Sequence, residues 1–196
     1  GVWPDKHNIT SNRFLQPRYE DFPHFFSRAK QSRPEIQTAS FSNWGPIAET
    51  ILRDSDHTVN LPAEGAADYT QKDARLTEAC CEYLKSADPD LVFLYQGQVD
   101  ERGHGYGFHP SVKEYIAGIE NVDSHIGKVM ASIQSRPTVS KEDWLILIAT
   151  DHGGAGTDHG DGHSNPDIRR TFLIVSGPSA RVDAPQQPTY QVDIVA

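Results

Sequence analysis

Two short apolar runs, separated by one long amphipathic stripe, constrain this chain more than any other feature. Leu91-Val92-Phe93-Leu94-Tyr95 and Trp144-Leu145-Ile146-Leu147-Ile148-Ala149 contain no charged residue. Their length and β-branching predict strands buried on both faces, as in a parallel sheet. Between them Val112, Ile116, Ile119, Val122, Ile126, Val129 and Ile133 recur every three or four positions, just after Pro110. That spacing predicts a helix over residues 112–133. A third apolar run, Phe172-Leu173-Ile174-Val175, is closed by Gly177-Pro178 and predicts a third buried strand. Strand, helix and strand in alternation imply an α/β fold, a mostly parallel sheet flanked by helices on both faces.

Weaker signals fill in the rest. Residues 18–32 read as a helix with Phe22, Phe25, Phe26 and Ala29 on one face, ended by Pro34. Residues 71–85 read as another, with Leu76, Cys80, Tyr83 and Leu84 inward. Short strands are expected at residues 35–41 and 57–61, with Asn43-Trp44-Gly45-Pro46 as a turn between them. Residues 1–17 are rich in Pro, Asn and Ser and lack periodicity, so they are expected to be loop.

The chemistry sits past the ends of the strands. Asp151-His152 follows the second run, and a Gly-rich stretch continues to His163. Three His and three Asp fall within the fourteen residues from Thr150 to His163. Open α/β sheets place their ligands beyond the carboxyl ends of strands. Carboxylate and imidazole together suit zinc or a similar divalent ion. Asp100 and His104 follow the first run. One helical turn would put both on the same side. If the two runs are neighbouring parallel strands, one ion can take Asp100, His104 and a His of the Gly-rich loop. A second can take Asp151, His152 and a further ligand. His7, His24, His57 and His125 are expected on surface or helix faces. His109 and His163, near the motifs, are candidate substrate contacts.

Composition narrows the classes. With 196 residues, 37% of them hydrophobic, the chain fits one domain with a sizeable core over residues 1–196. A net charge of -9 without a basic run argues against binding a nucleic-acid polymer. No apolar stretch reaches membrane-spanning length. Cys80 and Cys81 are adjacent and are not expected to form a disulfide framework. The only Met is Met130, and residues 190–196 read as an element broken off partway. The chain is therefore expected to be a fragment, cut at both ends.

The ordered motifs Asp100-x-x-Gly103-His104, Thr150-Asp151-His152-Gly153 and Gly156-x-x-His159-Gly160 resemble the alkaline phosphatase superfamily. The likeness is greatest to its nucleotide pyrophosphatase/phosphodiesterase branch. Phe172-Leu173-Ile174-Val175-Ser176-Gly177-Pro178 resembles the strand that follows in that branch. Gly1-x-x-Pro4-x-x-His7 with Asn12 resembles the loop after the family nucleophile. Asn8 stands where the family usually has Gly, and Asn is a common substitute where a turn needs positive φ.

The resemblance implies one zinc on Asp100, His104 and His159, and a second on Asp151 and His152. His159 is preferred to His163 because it is the His followed by Gly at the matching place. Asn12 would match the asparagine that holds a phosphate oxygen. The Thr or Ser nucleophile and a further acidic ligand are expected upstream of Gly1, so the isolated chain is expected to be inactive. The implied activity is metal-dependent hydrolysis of a small phosphate ester, a phosphodiester or nucleotide pyrophosphate. Tyr95 stands where alkaline phosphatases proper carry a Glu, which leans toward diesters. Phosphomonoesterase and sulfatase readings compete within the superfamily. A non-catalytic, zinc-stabilised binding module is the reading from a different class. A periplasmic or extracellular site follows from family resemblance alone.

Overall fold

The computed structural model describes residues 2–181 and 190–195. Three strands, β1 (Thr38–Ser42), β2 (His57–Asn60) and β3 (Leu91–Leu94), form a parallel sheet in the order β2-β1-β3. Ala39 of β1 pairs with His57 on one side and Val92 on the other. The central strand is thus one of the two with a weak apolar signal. Its Thr and Ser residues are fully buried; Ser40 Oγ has no partner among the described residues, while the other two are bonded. Thr38 donates from its amide and its hydroxyl to Asp56 Oδ2, both at 2.8 Å, and Ser42 Oγ donates to the Trp44 carbonyl at 3.0 Å.

Successive residues of β3 face opposite layers, as the pleat requires. Val92 and Leu94 join Ala39 and Phe41 against Leu76, Cys80 and Leu84 of α3 (Gly65–Ser86) and Ile133 of α5 (Lys113–Gln134). Leu91, Phe93 and Tyr95 meet Phe26 of α2 (Phe25–Ser32), Ile47 and Leu52 on the other face. Ile47–Ile51 form a π-helical turn that the sequence does not announce. Helices therefore cover both faces, as expected. Cys80 and Cys81 are free thiols.

The boundaries differ in instructive places. The α5 helix matches its hydrophobic period to within one residue. α3 begins at Gly65 rather than residue 71, and α2 begins only at Phe25. Pro23 disfavours a helical Phe22, and His24 Nδ1 then accepts the Ser27 amide at 3.4 Å as the cap. The N-terminal loop contains one helical turn, α1 (Pro4–His7). It closes on Asn8 at φ 61°, the positive φ that the family resemblance called for. Gly1 and Ala196 lie outside the described residues.

The last two strands correct the sequence reading. β4 (Ile146–Ala149) and β5 (Leu173–Ser176) form a separate antiparallel pair, Ile146 opposite Ser176 and Ala149 opposite Leu173. The connection between them carries one four-residue helix, α6 (Pro166–Arg169). Neither strand is buried on both faces. Trp144 and Ile146 pack toward the α3/α5 layer, while Leu145 and Leu147 are exposed, as is all of β5.

Candidate metal centre

Two chain segments meet at the carboxyl end of the sheet. After β3, Gln96 and Gly97 lead into α4 (Gln98–Tyr106). Asp100 lies in its first turn and His104 in its last, on one face. His104 Nε2 stands 3.6 Å from Asp100 Oδ2. After β4 come Asp151, His152 and the Gly-rich loop. His159 Nε2 is 3.6 Å from Asp100 Oδ1, and His152 Nε2 is 3.9 Å from the same oxygen. Asp151 Oδ2 lies 3.6 Å from His152 Nε2. The His152 and His159 rings stack with centroids 3.9 Å apart. One donor atom each from Asp100, His104 and His159 falls within 4.8 Å of the other two.

This convergence does not come from neighbouring parallel strands, as the sequence reading supposed. β3 and β4 belong to different sheets. The α4 helix and the Gly-rich loop bring the donors together beyond the strand ends.

The imidazoles are oriented by backbone carbonyls. His104 Nδ1 bonds the Thr157 carbonyl at 2.9 Å, and His152 Nδ1 bonds the Gly153 carbonyl at 2.8 Å. A carbonyl only accepts, so each Nδ1 carries a proton, and Nε2 is the ring nitrogen that faces the carboxylates and is left to bind an ion. Asp158 steadies the loop by accepting the amides of His159 and Gly160. Those bonds hold its carboxyl below the usual range.

Phe108 joins the two segments. Its ring fills the space where Gly103 of α4 and Gly154 of the loop lack a β-carbon. Its edge contacts the rings of His104 and His159. Its amide donates to the Gly156 carbonyl at 2.7 Å. Gly156 itself has φ 60°, a conformation that glycine adopts freely. Nothing in the sequence marks Phe108; only the glycines around it hint that something must come close.

The donor set fits a divalent cation. Asp100 Oδ1 is buried without a hydrogen-bond partner among the described residues, and such an atom requires one. Its 3.6 Å separation from His159 Nε2 is too long for a hydrogen bond. It is close to the roughly 3.3 Å expected between two ligands each about 2 Å from one tetrahedral ion. Tyr95 lies beside this group. Burial, aided by Asp151 and Asp100, raises its phenol well above the usual range. Tyr69 is pushed up to about 12, first by burial.

Other candidate residues fall elsewhere. His163 is exposed beside Asp161. Asn12 and His109 are exposed and outside the cluster, with His109 Nδ1 bonded to Ser111 Oγ at 2.7 Å. His24 caps α2 and His57 stacks on Tyr83. His125 lies on a face of α5, within the expected alternatives, but on a buried one. It is 3% exposed and bonds Gln96 Oε1 at 2.7 Å. The helical period places residue 125 beside the inward-facing Ile126 but cannot show that Gln96 awaits it.

Comparison with known proteins identifies the family. The family model described as type I phosphodiesterase / nucleotide pyrophosphatase matches residues 1–187. GPI ethanolamine phosphate transferase 1 of Emericella nidulans is 34% identical over 106 residues, 54% of this chain and 10% of that protein. The catalytic subunit of human GPI ethanolamine phosphate transferase 2 is 26% identical over 110 residues, 56% of this chain and 11% of that protein. GPI ethanolamine phosphate transferase 1 of Aspergillus fumigatus is 32% identical over 123 residues, again 56% and 11%. The chain thus spans about a tenth of the length of these relatives. Among solved structures, a Leishmania mexicana phosphoglycerate mutase crystallised at low cobalt concentration superposes with a TM-score of 0.50 at 20% identity. The match covers 65% of this chain and 24% of that one, a likeness of fold alone. With its motifs in order and nearly its full length matched, the chain belongs to the type I phosphodiesterase/nucleotide pyrophosphatase family of the alkaline phosphatase superfamily.

Proposed function

We propose that this chain carries the metal-binding part of a catalytic domain that transfers phosphoryl groups from small phosphodiesters. The observation that carries the reading is the buried, unpartnered Asp100 Oδ1, faced by two imidazole nitrogens from the other strand end. Asp100, His104 and His159 would hold one ion. Asp151 and His152 would hold a second, with Asp100 near enough to His152 to serve both. Bound divalent ions, zinc by the donor set, supply charge stabilisation on phosphoryl oxygens and activate an oxygen nucleophile. The chain's own contribution is orientation. The Thr157 and Gly153 carbonyls fix the tautomers of His104 and His152, and Phe108 keeps the two segments together. Tyr95, protonated at neutral pH, offers an O–H donor beside the carboxylates. Asn12 and His109 are assigned to phosphate contact on motif likeness and position in sequence. The nucleophile is expected to be a Thr or Ser upstream of Gly1, and a compartment outside the cytosol rests on likeness alone.

The test is cleavage by the full-length protein, with zinc, of bis-nitrophenyl phosphate against mononitrophenyl phosphate. The reading expects the diester to be preferred and activity to vanish with chelator. Preference for the monoester or for a sulfate ester would favour the competing superfamily activities. Metal binding without turnover would favour a binding module.

The names of the relatives favour a second reading, in which the acceptor is an alcohol rather than water. A phosphodiester bearing ethanolamine phosphate separates the two. Hydrolysis releases free ethanolamine phosphate, and transfer yields its ester with a supplied glycolipid alcohol.

A further inference from the structure

One acid interrupts the buried stripe of α3. Tyr69, Leu76, Cys80 and Leu84 lie along it, and Asp73 sits among them with no exposed surface. A carboxylate there is costly unless its oxygens are bonded. Asp73 Oδ1 accepts the Gly97 amide at 3.1 Å and Oδ2 accepts the Gln98 amide at 3.0 Å. The Asn43 side-chain amide, at the end of β1, also donates to Oδ1. Gly97 is the N-cap of α4 and Gln98 its first residue, and no side chain of α4 caps that end. The cap comes instead from a different helix; burial raises this carboxyl above the usual range, and the amides donated at the positive end of the α4 dipole oppose that shift.

Further bonds hold the same junction. Gln98 Oε1 accepts from Asn121 of α5 at 2.8 Å. Gln96 Nε2 donates to Thr77 Oγ1 at 3.2 Å, and Gln96 Oε1 pairs with His125 of α5. Gly97 has no room for a side chain, because Tyr69 occupies the position of its β-carbon. Asp100 follows Gln98 by two residues, and His104 lies one turn further on the same face. Any roll or slide of the start of α4 therefore moves both donors relative to His159.

We propose that Asp73 is a positioning residue of the donor cluster. By holding the N-cap amide and the first amide of α4 it aims Asp100 and His104 at the Gly-rich loop. The inference rests on the metal-binding reading above, and adds which buried group makes that binding geometry possible.

The test uses the full-length protein and Co²⁺, whose visible spectrum reports the ligand geometry. Asp73→Asn keeps the side chain's size but sets an NH₂ group against a backbone amide. Asn121→Ala loosens the same junction from the α5 side and serves if Asp73→Asn does not fold. Leu84→Val, in the same core but away from α4, is the control for general destabilisation. Asp73→Asn is expected to weaken Co²⁺ binding by roughly 10–100-fold, the range seen when groups that orient ligands are lost, and to alter the visible band. Asn121→Ala is expected to change both in the same direction by less. Leu84→Val is expected to lower Tm while keeping wild-type affinity and spectrum. Wild-type affinity and spectrum in the junction variants that fold, or a loss no greater than in Leu84→Val, would overturn the proposal alone. A wild-type protein that binds no Co²⁺ would overturn the metal-binding reading and this inference with it.

Discussion

Gly154 of the Gly-rich loop lies so close to the ring of Phe108 that a β-carbon at residue 154 would overlap it, and Gly103 of α4 meets the same ring from the other segment. The ring also touches His104 and His159. Gly105, two residues beyond Gly103 in the same helix, has nothing near its missing β-carbon. Gly103→Ala is therefore expected to destabilise the protein by about 1–3 kcal/mol through overpacking, and to weaken metal binding. Gly105→Ala should be neutral or add up to about 1 kcal/mol, since it replaces glycine within a helix. Urea unfolding of the two variants, with and without metal, checks both signs.

His104→Ala removes one of three donors from the Asp100 group. Metal content, measured by elemental analysis after dialysis, is expected to fall. The rise in Tm on adding zinc should also shrink. That rise reflects linkage, worth about 2.7 kcal/mol at a hundredfold excess of ion over Kd. His163→Ala, on an exposed side chain beside Asp161, should leave both quantities at wild-type values.

Arg136 is buried at the turn between α5 and β4. It donates to Glu142 at 2.8 Å, to Asp88 at 2.8 Å, and to the carbonyls of Leu84 and Ala87 at the end of α3. Its guanidinium also lies over Trp144, 5.5 Å from the ring centroid. Arg136→Met leaves two carbonyls without this donor and Glu142 with only the Thr138 hydroxyl and the Trp144 indole N–H, and is expected to cost about 3 kcal/mol. Adding Glu142→Gln should recover part of that loss in chemical denaturation, because no carboxylate without its counter-charge then remains.

Acid should weaken the fold in two stages. Burial pushes His125 and His24 below the usual histidine range. The unfolded chain then takes up protons that the folded one refuses, so stability falls as pH drops below about 6.5. Asp56 is held at about 2, first by Lys30, and Glu142 at about 2, first by Arg136. Their contribution is complete above the unfolded value near 4 and is lost as pH falls toward 2. Urea midpoints between pH 8 and pH 2 should show both declines, and His125→Gln should flatten the upper one.

The exposed strand β5 yields the last prediction. Ile174 is 53% exposed, and contiguous exposed apolar surface promotes association. Ile174→Thr is expected to change stability by no more than about 0.5 kcal/mol, while reducing light scattering by the isolated chain at high concentration.

Much of this was legible in the residues, and the pattern of success has a physical basis. The helical period of residues 112–133 gave α5 almost to the residue, because burial of one face is written directly in that spacing. Asn8 was expected at positive φ, and the structure has it there. The apolar runs at Leu91 and Trp144 announced strands, but run length alone does not say what covers a strand or which way its neighbour runs. β5 was expected buried, and it is exposed and antiparallel. Thr38–Ser42, a weaker strand signal than either apolar run, is the centre of the parallel sheet.

The sequence by itself determined the α/β class, the family and the types of side chain available for metal binding, because these depend on composition, period and motif order along one chain. Only the tertiary structure decided that Asp100, His104, His152 and His159 stand within a few ångströms of one another, while His163 does not. It also revealed Phe108, Thr157 and Asp73 as the groups that hold the arrangement. Their contacts join residues dozens of positions apart, and no local spacing encodes a distance between elements that meet only after the core has packed.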